Sequence, residues 1–70
     1  MEYEIVMVER VTFLDARNNP VDGYRITFQI ADTGITDWVD VPERLYEREY
    51  VEQQIVAKLE RHSKMLGWVA

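Results

Sequence analysis

Seventy residues make one domain, spanning 1–70, and a chain of this size buries only about 60% of the surface its unfolded form exposes. Short domains gain stability from disulfides, a metal or oligomerisation; without cysteine disulfides and thiolate zinc sites are excluded, and self-association remains. The net charge of −5 lies wholly in residues 1–46, where nine acids meet four arginines, while residues 47–70 hold four of each sign; that field repels phosphate backbones.

Residues 2–14 form the first extended segment. Odd positions Tyr3, Ile5, Met7, Val11 and Phe13 are apolar, but so are Val6 and Val8. The segment is long for a strand, and a bulge near Glu9 would let it bend. One register sends the odd row inward; a bulge would instead send Val6, Val8, Val11 and Phe13 inward. Either leaves an apolar row facing out, which one helix cannot cover.

Asn18-Asn19-Pro20 and Asp22-Gly23 are turn chemistry, so residues 15–23 read as a wide hairpin loop. Strand two follows with Tyr24, Ile26, Phe28 and Ile30 alternating with Arg25, Thr27 and Gln29, the period of a half-buried strand. Asp32-Thr33-Gly34 closes a short hairpin. Strand three runs from Ile35 to Val41, with Val39 and Val41 inward and Trp38 and Asp40 outward, and Pro42 ends its ladder.

A helix is predicted from near Glu47 to about Leu66. Tyr50, Val51, Ile55, Leu59, His62 and Leu66 share one face. Glu47, Glu49 and Glu52 in the first turns and Lys58, Arg61 and Lys64 in the last match the helix dipole. Gly67 reads as the C-cap, with Trp68 folding back on the last turn. The fold class is therefore α+β: a three-stranded antiparallel meander, strand two central, with one C-terminal helix packed on one face.

Catalytic and metal chemistry find little support in these residues. His62 is the only histidine and Ser63 the only serine; adjacent helix positions do not face each other, so they cannot form a nucleophile and base. His62 reads as partly buried packing at the helix end. The acids contain no calcium-binding loop, and Asp37 and Asp40 project to opposite strand faces. Neither glycine turn leads into a helix, so no phosphate cradle is read. No catalytic residue, cofactor, metal or small-molecule substrate is expected.

The outer sheet face carries the remaining signals. Arg10, Thr12, Arg25, Thr27 and Gln29 are the set a nucleic-acid reader would use, together with Thr36 and Trp38. The arrangement is similar to sheets that plant AP2-type and integrase amino-terminal domains lay in the DNA major groove, without their sequence motifs. Few arginines and the shared Glu2, Glu4 and Asp40 argue against it. Val6, Val8, Leu14 and Trp38 give the same face an apolar patch, the mark of a protein interface.

Gly23-Tyr24-Arg25-Ile26-Thr27-Phe28, Val39-Asp40-Val41-Pro42, Tyr46 and the acidic helix start resemble short uncharacterised proteins encoded in phage and prophage-like gene clusters. That resemblance implies an accessory or structural role and carries no catalytic residue. The expectation is a small non-enzymatic interaction protein, homodimeric or bound to another protein. Alternatives are a nucleic-acid module or an acidic mimic of nucleic-acid charge. No signal peptide or membrane span is read, so the expected location is intracellular and soluble.

Overall fold

The computed structural model describes residues 2–69, with side-chain surroundings from Glu2 to His62. The order is β1 (Tyr3–Leu14), β2 (Pro20–Ile30), β3 (Thr36–Pro42), a short 3-10 turn (Glu43–Leu45) and α1 (Arg48–Val69). The strands form one antiparallel sheet in the order β1-β2-β3. The α+β meander with a terminal helix is thus the fold, and β2 is its central strand.

β2 supplies the centre of the core because its even row is apolar from Tyr24 to Ile30. Ile26, Phe28 and Ile30 are buried with Val39 and Val41 of β3 and with Val51, Ile55 and Leu59 of α1. The helix residues recur every four positions, so they form one stripe lying on β2 and β3. Tyr3 meets Phe28 edge to face at 6.0 Å between centroids. Tyr46, just before the helix, stacks on Tyr24 at 4.3 Å and anchors the turn from sheet to helix.

Several boundaries differ from expectation. β2 starts at Pro20, opposite Leu14, so the loop closes within Asp15–Asn19 instead of running to residue 23. The Asp15 carboxylate accepts backbone N–H bonds from Arg17 and Asn19 at 2.8 and 2.9 Å, and Asn18 takes the left-handed conformation at φ 63°. These local bonds make a tight turn that composition alone reads as a long loop. Gly23 lies inside β2, between Val11 and Pro42, and is not a turn glycine. A Cβ there would collide with the Val41 carbonyl oxygen and come within 2.8 Å of the Phe13 ring. Gly34, at φ 71°, is the true hairpin glycine, and its N–H bonds the Ile30 carbonyl at 2.8 Å.

The Val51 N–H bonds the Glu47 carbonyl at 3.0 Å, which makes Glu47 the residue that opens the helix. α1 continues through Gly67 to Val69, so Gly67 does not terminate it; glycine within a helix costs about 0.8–1.0 kcal/mol relative to alanine without breaking it. The last turn consequently carries no base, and the cations lie further back. The side chains of Lys64, Leu66 and Trp68, which the sequence assigns to the dipole, the stripe and the C-cap, lie outside the described residues.

Candidate functional site

The site is built around β1. Its pairing with β2 slips once, between Ile5 and Met7, leaving Val6 as the extra residue of a bulge. Residues opposite each other share a face, so Tyr3 (opposite Ile30), Ile5 (opposite Phe28), Val8 (opposite Ile26) and Arg10 (opposite Tyr24) lie on the helix side. Met7, Glu9, Val11 and Phe13 lie on the other side, opposite Thr27, Arg25, Gly23 and Val21. The bulge sits at Val6 and not near Glu9, and the inward row passes from odd to even positions there. Neither register read from the sequence is the one adopted.

This placement divides both surfaces expected from the sequence. Arg10 and Thr12 stand on the helix side, while Arg25, Thr27 and Gln29 stand on the opposite face. The proposed nucleic-acid row is therefore split between two faces. Its members are also engaged: Arg10 Nη2 lies 3.6 Å from Glu43, and the Thr12 hydroxyl donates to Asp22 at 2.9 Å. Arg25 makes two bonds to Asp40, at 2.9 and 3.2 Å, and lies 4.2 Å from the Trp38 ring centroid. The hydrogen bonds that Arg25 donates to Asp40, with the charges of Asp40 and Glu9, raise the Arg25 pKa above its ordinary value despite some desolvation. The apolar set divides likewise: Val8 and Leu14 follow the helix-side row, Trp38 the outer one, and Val6 the bulge.

What the structure does bring together is a run. Ile5, Val6, Met7 and Val8 are 47, 52, 50 and 45% exposed, four consecutive apolar residues on a strand whose outer edge meets no described strand. Ile5 and Met7 were missed by the sequence-derived interface because the odd register sent both inward. The helix-side members of the run, Ile5 and Val8, help floor a groove of about 370 Å³ walled by the start of α1, including Glu47, Val51 and Glu52.

The opposite edge is arranged differently. Asp37 of β3 sits opposite Phe28, on the helix side, where an unpaired carboxylate would be costly. His62 Nε2 lies 2.8 Å from one carboxylate oxygen and Lys58 Nζ 3.8 Å from the other. Lys58 also reaches within 5.5 Å of the Trp38 ring centroid. Burial pushes the Asp37 pKa up, but the His62 bond, the Trp38 backbone N–H and the Lys58 charge outweigh it and hold the carboxyl below its ordinary value. Inward charges, flanking charges, prolines and bulges are the devices by which natural edges resist pairing. β3 has the inward Asp37, with Lys58 of α1 beside it, and the terminal Pro42. β1 has the bulge at Val6 and the acids Glu4 and Glu9, which bracket an apolar run that no proline or lysine interrupts.

His62 thus has a partner that sequence order, with the two residues 25 positions apart, gave no means of finding. Among the described residues, no three His, Cys, Asp or Glu side chains are placed to hold a metal ion. No helix among them is long and apolar enough to cross a membrane. Compared with known proteins, the chain matches no protein family, no curated protein and no solved structure.

Proposed function

We propose that this chain is a small non-enzymatic interaction protein that self-associates as a homodimer, with β1 of one copy pairing antiparallel to β1 of another. The observation that carries the reading is the β1 edge, where four consecutive half-exposed apolar residues, Ile5–Val8, run without a proline or a lysine. An edge strand presents unpaired N–H and C=O groups, and pairing with a second copy satisfies them. Two three-stranded sheets would then join into one of six strands about a two-fold axis, the commonest symmetry of soluble oligomers. The β3 edge supports the same choice, because its inward Asp37 and terminal Pro42 disfavour strand addition there. The resemblance to short phage-cluster proteins agrees with an accessory role. A nucleic-acid reading has no comparable support, since its arginines are held by Glu43 and Asp40.

Amide hydrogen exchange at two concentrations tests this. The reading predicts that amides within Ile5–Val8 gain protection as concentration rises, while the Asp37–Asp40 edge does not. Concentration-dependent protection at β3 with none at β1 would contradict it.

A further inference from the structure

Pairing along the β1 edge, on which this inference rests, satisfies backbone groups but leaves the helix side of β1 uncovered. α1 lies over β2 and β3, where Val51, Ile55 and Leu59 are buried, and Ile5 and Val8 stay about half exposed beside it. Antiparallel strands related by a two-fold axis keep their faces, so both helices stand on the same side of the joined sheet. With strands about 4.8 Å apart and each helix centred over its β2–β3 pair, the two helix axes are four strand spacings, roughly 19 Å, apart. That is about twice the 8–10 Å at which helices pack. The space between them has the width of one more helix.

Its lining fits one kind of occupant. The floor is Tyr3, Ile5 and Val8 of each copy, and the walls carry Glu47, Arg48 and Glu52. Arg48 Nε is bonded to Glu52 at 3.1 Å, so two carboxylates against one guanidinium leave each wall net negative on a chain of charge −5. We propose that the dimer binds an amphipathic helical segment of a partner protein in this trough, its apolar face on the β1 floor and its basic flanks against Glu47 and Glu52. Recognition is of the helix-in-groove kind, with apolar anchors at three- and four-residue spacing.

The probe is a fluorescein-labelled peptide of about 18 residues of Leu and Lys, long enough for roughly five helical turns, with Leu at that spacing. A scrambled isomer and a Leu/Glu version serve as comparisons. Anisotropy should show one Leu/Lys helix bound per two chains and at least about tenfold weaker binding, some 1.4 kcal/mol, of both comparisons. Glu47→Lys/Glu52→Lys, at the start of α1 and away from the β1 edge, should lose the Leu/Lys peptide and turn the preference toward the Leu/Glu peptide while light scattering still reports a dimer. Equal binding of the scrambled peptide, one peptide per chain, or an unchanged preference in Glu47→Lys/Glu52→Lys would overturn the trough. A dimer that binds no peptide removes the trough alone, whereas a monomeric wild type removes the dimer and the trough together.

Discussion

Phe28, in the C-terminal half of β2, is fully buried in the core with the helix stripe and meets the Tyr3 ring in a T-shaped pair. Truncation to alanine should cost about 3–5 kcal/mol, much of the stability of a domain this small, read as a lost or strongly lowered thermal transition. Gly23 is a second sensitive point for a different reason. Gly23→Ala sets a methyl group against the Val41 carbonyl, and backbone cannot move aside as a flexible side chain can. The expected cost is about 1–3 kcal/mol, read from a urea midpoint. Asp37 should govern the acid limb. Its folded pKa lies below the unfolded one, so the stability it contributes is present above about pH 4, the ordinary carboxylate range, and is lost as pH falls through the depressed value. Asp37→Asn should be less stable at neutral pH, with a flatter decline between about pH 5 and pH 3, measured by urea unfolding across pH.

At the scale of elements, legibility followed how much each strand's two faces differ. β2 alternates cleanly, so its inward row could be read directly, and the same holds for Val39 and Val41 against Trp38 and Asp40. In β1 the stretch Ile5–Val8 is apolar on both faces, so periodicity holds no information about which face is buried. A slip of one residue exchanges every side chain beyond it. The bulge at Val6 did that, carrying Val8, Arg10 and Thr12 to the helix side and Met7 to the outer one. The slip is defined by β1's partner strand, and no property of β1 alone marks it. The Asp37–His62 pair was hidden for a similar reason, since only the packing of α1 across β3 brings them together. The β2–β3 hairpin offers a test at this scale. A Cβ at Gly34 would meet nothing within 4 Å, but φ is 71°, so Gly34→Ala should cost about 1–2 kcal/mol from backbone conformation alone, and Gly34→Asn less, since asparagine visits that region more readily. Equal effects in equilibrium denaturation would mean that the hairpin does not hold this turn.

At the scale of the whole molecule, the two edges of the sheet decide the account. β3 carries the inward Asp37, with Lys58 of α1 beside it, and ends on Pro42; β1 carries the bulge at Val6 within a half-exposed apolar run. In the proposed dimer a second copy would add the burial that a small core without disulfides lacks, and the acids Glu4 and Glu9 at the ends of the run would disfavour registers that set like charges opposite each other. The most direct measurement is molar mass by light scattering after size exclusion at micromolar concentration, on wild type and on Val6→Lys/Val8→Lys. The account predicts a dimer for the wild type and a monomer or unfolded chain for the variant. A wild type that is monomeric at every accessible concentration, with the variant melting at the same temperature, would contradict it.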